Sequence, residues 1–212
     1  MEKILSNISN AVLEGETKDV VRLCQDALDA GLQAGDVLKK GLIAGMNEVG
    51  ILFKDGEMFV PEVLVSAKTL QIGVEFLSPY LKEAGVGVIG KIMTVTVEGD
   101  LHDIGIKLVG MMLEGAGFEV INLGVDKKAD EIITKVKELN PDILAMSAML
   151  TTTMGKMEEV ISRLKEEGLE KKIQIMVGGA PLSPMYAERI GANFSSDASE
   201  AVRVAKMLLN VA

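Results

Sequence analysis

A chain of 212 residues suits one large domain or two small ones, and 48% hydrophobic residues can build ordinary cores. The formal net charge of −9 argues against nucleic acid as a partner, because neutralising phosphates needs a basic surface. Cys24 is the only cysteine, which excludes an intrachain disulfide and suits a reducing compartment. No charged-then-apolar leader opens the chain, and no apolar run approaches the ~20 residues of a membrane span, so a cytoplasmic protein without a membrane partner is expected. Aromatic residues make up 3% and tryptophan is absent, so the cores must be aliphatic and methionine-rich.

Up to about residue 84 the apolar positions recur at helical spacing. Ile4, Ile8, Val12 and Leu13 form one face; Val20, Leu23, Cys24, Ala27 and Leu28 form a second. Val37, Leu38, Leu42, Met46, Val49 and Phe53 form a third, and Val63, Leu64, Ala67, Leu70, Val74 and Leu77 a fourth. Gly15, Gly31 and Gly56 fall near the breaks, and Pro61 sits where a first helical turn tolerates it. The expectation is a bundle of about four helices over residues 1–87.

Beyond a glycine-rich stretch the rhythm changes. Short β-branched runs at 91–97, 119–123, 143–146 and 173–177, with a weaker one near 193–195, alternate with helical segments at 104–116, 129–139, 153–166, 184–190 and 199–209. Strict alternation implies a doubly wound parallel sheet, Rossmann- or flavodoxin-like, over 88–212, in which ligands bind beyond the carboxyl ends of the strands. Glycines and hydroxyls crowd those ends.

Four motifs carry chemistry. Gly85-Val86-Gly87-Val88-Ile89-Gly90 has the G-x-G-x-x-G spacing, but it precedes the first strand and opens no helix, so it reads as a linker. His102, the only histidine, stands in Glu98-Gly99-Asp100-Leu101-His102-Asp103-Ile104-Gly105. It is a surface-loop histidine or a single axial ligand to a metal that a cofactor already holds. A protein-built zinc site would need about four ligands, which one histidine and one distant cysteine do not supply. Asp100 can accept the second ring N–H and fix the tautomer, and Gly105 lets something large approach the backbone. Ser147-Ala148-Met149-Leu150-Thr151-Thr152-Thr153 holds more hydroxyls than one helix cap needs. Gly178-Gly179-Ala180-Pro181 is a turn, or a place for flat contact with a ligand.

In order, Asp100-x-His102-x-x-Gly105, Ser147-x-Met149 and Gly178-Gly179 resemble the cobalamin-binding signature D-x-H-x-x-G … S-x-L … G-G. It occurs in methionine synthase, carbon-skeleton mutases and the small corrinoid proteins of anaerobic methyl transfer. The segment from Asn47 to Pro61 is similar to the helical cap of the methyltransferase branch. There are two departures. Met149 replaces the usual Leu, a swap of similar volume, and Val60 stands where the cap usually has Leu.

The resemblance implies a cobalamin or related corrinoid, cycling between methylcob(III)alamin and cob(I)alamin. His102 would be the axial cobalt ligand, Asp100 its hydrogen-bond partner, and Thr153 the end of a hydroxyl–carboxylate–imidazole relay. Leu101, Asp103, Ile104 and Gly105 would line the cofactor beside it. Ser147 and Thr151 would touch the buried base or corrin edge, and Met149 would pack on the base. Gly178, Gly179 and Ala180 would line the nucleotide channel, while Phe53 and Val60 would shield the methyl-bearing face.

A cap and a corrinoid domain leave no room for a mutase barrel or the further modules of methionine synthase. The implied role is a methyl carrier, one component of a multi-protein system and not a stand-alone enzyme. A substrate-specific methyltransferase would load it from a methylamine, methanol, a betaine or a methoxyarene, with methylamine preferred. A coenzyme M or tetrahydrofolate methyltransferase would unload it, and a reductive activase would rescue oxidised cobalt. The alternatives are a cobalamin sensor or storage module, and a flavodoxin-like domain for another nucleotide. For a flavin the second half offers few aromatic walls: Phe118, Tyr186 and Phe194.

Overall fold

The computed structural model describes residues 2–85 and 87–211, so Val86, within the stretch read as a linker, lies outside the described residues. The chain divides into two units, Met1–Val88 with Glu114–Gly117, and Ile89–Leu113 with Phe118–Ala212.

The first unit follows the apolar spacing. It contains α1 (Glu2–Leu13), α2 (Val20–Asp29), α3 (Ala34–Asp36), a π-helical stretch Val37–Ile43, α4 (Ala44–Asp55) and α5 (Val60–Glu83). Ile8, Val12, Val20, Cys24, Val37, Leu42, Val49, Val63, Leu70 and Leu77 are buried. Apolar periodicity predicts one rod for the third face, whereas the structure winds it as α, π and α segments. Val37, Leu42 and Met46 are buried all the same, so their spacing could not reveal the looser turn. Close packing on α1 leaves no room at Gly45, where a Cβ would lie 2.4 Å from the Ser9 carbonyl oxygen. The fourth face extends through Pro79, which removes one backbone donor from α5 without ending it.

The second unit is the expected parallel sheet. Its strands are β1 (Lys91–Thr96), β2 (Glu119–Asn122), β3 (Ile143–Ser147), β4 (Gln174–Gly178) and β5 (Asn193–Phe194), in the order β2-β1-β3-β4-β5. Helices α6 (Ile104–Gly115), α7 (Ala129–Leu139), α8 (Met154–Glu166), α9 (Pro184–Ile190) and α10 (Ala198–Leu208) connect and follow them. Alternation along the strands divides the sheet into two faces. Met93, Val95, Leu144, Met146, Ile175 and Val177 pack with α7, α8 and α9 in one apolar core.

The other face becomes polar towards the carboxyl ends. Register sets Thr94 beside Ala145 and Met176, and Thr96 beside Ser147 and Gly178, so small and hydroxyl side chains form a row across three strands. The chain leaves β1 towards β2 on one side, and β3 lies on the other. The strand order thus reverses between β1 and β3, and the carboxyl ends at such a switch point are where ligands bind in sheets of this kind.

Candidate functional site

The loop after β1 turns at Glu98-Gly99 and brings the Asp100 carboxylate into the fold, where it is fully buried. A buried carboxylate needs donors, and both oxygens have them. Oδ1 accepts the His102 amide at 3.1 Å and lies 2.7 Å from His102 Nδ1. Oδ2 accepts the Met149 amide at 2.6 Å and the Thr153 hydroxyl at 3.0 Å. Burial pushes the Asp100 carboxyl up, but the Met149 amide, the His102 ring and amide, and the Thr153 hydroxyl outweigh it and hold the pKa at about 2. Asp100 is thus ionised at neutral pH.

An ionised Asp100 dictates the tautomer of its neighbour. The proton between the two groups belongs on Nδ1, which leaves the Nε2 lone pair free on a ring whose side chain is 56% exposed. This is the arrangement of a metal-binding imidazole backed by a carboxylate. Among the described residues no group of three potential ligands gathers to hold an ion. One imidazole nitrogen can supply a single bond to a metal that a cofactor already holds.

Thr153 is the N-cap residue of α8, yet its side chain makes no capping bond. Its hydroxyl lies 3.0 Å from Asp100 Oδ2 and 2.9 Å from the Leu150 carbonyl oxygen. With two acceptors in reach, this hydroxyl can turn its one proton towards either. Reading the hydroxyl cluster as a helix cap fails at Thr153, because the hydroxyl is diverted to the carboxylate.

The remaining expected residues fall into distinct environments. Leu101 and Ile104 are both 72% exposed, and Met149 and Leu150 are exposed as well, so apolar side chains gather in solvent on the loops that carry His102 and Thr153. Gly105 is exposed, and a Cβ there would meet nothing within 4 Å. Asp103 pairs with Lys107 on α6. Ser147 is buried in the row with Thr96 and Gly178, whereas Thr151 and Ala180 are exposed. Gly179 has a structural reason of its own. At φ +137° a Cβ would lie 1.9 Å from the Ala148 carbonyl oxygen, so backbone packing alone requires glycine there. Phe53, on α4, and Val60, at the start of α5, are half-buried in the helical unit.

Sequence reasoning missed two residues. Thr96, fully buried, donates its hydroxyl to the His102 carbonyl oxygen at 3.0 Å and so fixes the loop from below. Asp126 accepts the Gly99 amide at 2.7 Å. The only signal for Thr96 was a hydroxyl at a strand end; for Asp126 there was none beyond a position near Gly124.

A large cofactor fits these surroundings. The exposed apolar side chains and the open space at Gly105 suit a broad ring. On the sheet face below, Thr94 Oγ1 is the one buried side-chain polar atom without a hydrogen-bond partner among the described residues. A polar group inserted along that row would satisfy it.

Comparison with known proteins agrees. Residues 90–203 match a family described as B12 binding domain, and residues 4–78 match a second family of the same description. The chain is 41% identical over 210 residues to dimethylamine corrinoid protein 1 of Methanosarcina acetivorans, covering 98% of each. A cobalamin-binding protein from Desulfitobacterium hafniense superposes with a TM-score of 0.81 at 32% identity, covering 96% of this chain and 98% of that one. A chain of the methanol:cobalamin methyltransferase complex of Methanosarcina barkeri gives a TM-score of 0.86 at 30% identity, covering 98% of this chain and 80% of that one. Among the described residues no helix is long and apolar enough to cross a membrane.

Proposed function

Because the chain belongs to the family of small corrinoid proteins built on B12-binding domains, we propose that it is a methyl carrier between two methyltransferases. The first loads it from a methylamine-class donor. The second passes the methyl group on to coenzyme M or tetrahydrofolate, and a reductive activase restores carriers that have lost activity by oxidation. Likeness to dimethylamine and trimethylamine corrinoid proteins supports that class of donor, and likeness to a chain of a methanol:cobalamin methyltransferase complex supports partnership with a methyltransferase. The cofactor is a corrinoid, and when bound it supplies the metal centre that takes up and hands on the methyl group.

The observation that carries the reading is the 2.7 Å contact between His102 Nδ1 and an Asp100 carboxylate held ionised by buried donors. Through it His102 would offer Nε2 as the axial ligand. The Met149 amide and Thr153 hydroxyl hold Asp100 from its far side, so the ring keeps one orientation. If a proton moves onto Asp100 Oδ2, Thr153 can turn its own proton to the Leu150 carbonyl and accept from the acid instead. The carboxyl group then stays paired in either state.

Other residues would bind without chemistry. Leu101, Ile104 and Met149 would give apolar contact to the ring, Gly105 would leave room for it, and Asp103 would stand at its edge. Ser147, Gly178, Gly179 and Ala180 would line the channel for the nucleotide tail, with Thr151 at the mouth. Phe53 and Val60 would shield the methyl-bearing face, as the resemblance implies.

The test is reconstitution with methylcobalamin, for the wild type and for His102→Ala. The wild type is expected to show an imidazole-ligated visible spectrum that the variant lacks, and to exchange methyl groups with a co-encoded methyltransferase. Identical spectra would refute the axial assignment; ligation without methyl exchange would refute the carrier role and leave a sensor or store.

A further inference from the structure

Asp126 is not explained by the residues that would touch a cofactor. It lies exposed in the loop between β2 and α7 at φ +54°, a left-handed conformation unfavourable for residues with a Cβ and tolerated best by asparagine and aspartate. In that conformation it bonds twice to the histidine loop. Its amide donates to the Asp100 carbonyl oxygen at 3.1 Å, and its carboxylate accepts the Gly99 amide at 2.7 Å. One residue therefore holds the Glu98–Gly99 peptide just before Asp100 and the carbonyl of Asp100 itself.

The loop around it is laced to the same strand end. The Thr96 amide donates to the Gly124 carbonyl at 3.0 Å, and the Lys127 amide donates back to the Thr96 carbonyl at 3.2 Å. Had backbone conformation been the only demand at position 126, glycine would meet it, as Gly124 does two residues earlier at φ +88°. A carboxylate adds the bond to Gly99, which glycine cannot make.

What that bond controls follows from the two ends of Asp100. Oδ2 is pinned by the Met149 amide and Thr153, while Oδ1 faces His102. If the backbone of Asp100 moves, the fixed end cannot follow. The error falls on the contact with His102 Nδ1, and that contact decides which ring nitrogen carries the proton.

The geometry points to Asp126 as a positioning residue that keeps His102 in the Nδ1–H tautomer by holding the backbone on both sides of Asp100. This rests on the reading of His102 as the cofactor's ligand, although its first test needs no cofactor. Since the chain has a single histidine, the imidazole nitrogen NMR signals of the ¹⁵N-labelled apoprotein report on His102 alone. Three variants separate the demands: Asp126→Asn keeps both the left-handed preference and the acceptor, Asp126→Gly keeps only the conformation, and Asp126→Ala keeps neither.

The wild type and Asp126→Asn are expected to show the Nδ1–H tautomer. Asp126→Gly and Asp126→Ala are expected to shift towards Nε2–H, and to bind hydroxocobalamin about tenfold more weakly, with less imidazole-ligated absorbance at saturation. If Asp126→Gly keeps the wild-type tautomer and affinity, the carboxylate positions nothing and the proposal is overturned. Should Asp126→Ala fail to fold, as its circular dichroism melt would show, the other two variants decide. Should the wild type bind cobalamin without imidazole ligation, the ligand reading fails, yet the tautomer comparison still rules on Asp126.

Discussion

Replacing Asp100 by Asn keeps the volume and removes the charge, which makes it the sharpest probe of the site. An amide presents one oxygen and one NH₂ where the carboxylate presents two acceptors. With NH₂ in the place of Oδ2, a donor faces the Met149 amide, which has no second setting. With NH₂ in the place of Oδ1, it faces the His102 amide, and the ring can answer only by moving its proton to Nε2. The first arrangement costs stability and the second costs stability and the ligand. Opposing a buried N–H to another donor costs ~1–3 kcal/mol.

Lowering the Asp100 pKa from 3.8 to about 2 independently corresponds to ~2 kcal/mol of stabilisation at pH 7. The folded pKa lies below the unfolded one, so this contribution is full above about pH 4 and is lost as pH falls towards 2. By pH 3 it is smaller by roughly 1 kcal/mol. Asp100→Asn apoprotein should therefore melt ~5–10 °C below the wild type at neutral pH, followed by far-ultraviolet circular dichroism. The gap should narrow by pH 3. A variant that melts within 1 °C of the wild type at pH 7, or a gap indifferent to pH, would refute the account of a carboxylate held ionised by buried donors.

Two glycines of the signature should behave in opposite ways. Gly179→Ala places a Cβ 1.9 Å from the Ala148 carbonyl oxygen, so the apoprotein should lose ~3 kcal/mol or more; a melt within 2 °C of wild type would contradict the packing. Gly105→Ala meets open space at the start of α6, so the apoprotein should be as stable as the wild type or slightly more so, while cobalamin titration shows weaker binding. Unchanged affinity would mean that nothing approaches that backbone. Burial pushes the Cys24 thiol up to about 12, so a chromogenic disulfide reagent at pH 8 should modify it only as fast as the helical unit unfolds; prompt stoichiometric labelling of the native protein would show otherwise.

Much of the fold was legible because each unit obeys one period. Helical spacing placed the buried faces of the first unit, and alternation of short β-branched runs with helical segments placed five parallel strands and their helices. The π-helical turn at Val37–Ile43 stayed hidden, since an extra residue per turn left the same side chains inside. Strand register was hidden too, because no local pattern says that Thr96, Ser147 and Gly178 lie side by side.

The site divides along the same line. Asp100 and His102 are two residues apart, and a two-residue spacing can be read directly from the chain. Two of the four donors that keep Asp100 ionised come from 49 and 53 positions away, and they depend on how β3 ends beside β1. The sequence offers Gly179 for contact with a ligand, yet the backbone already demands it; it offers Thr153 as a helix cap, yet the side chain caps nothing. In both cases the residue type was informative and its reason was not, because a glycine or a hydroxyl answers several demands equally well. What distinguishes the demands is the identity of the nearest atom, and only the folded chain supplies it. The test of a motif is therefore whether its members are spent on one another. Here Asp100 is engaged by His102, Met149 and Thr153, and the Nε2 of the exposed imidazole is left without a partner among the described residues.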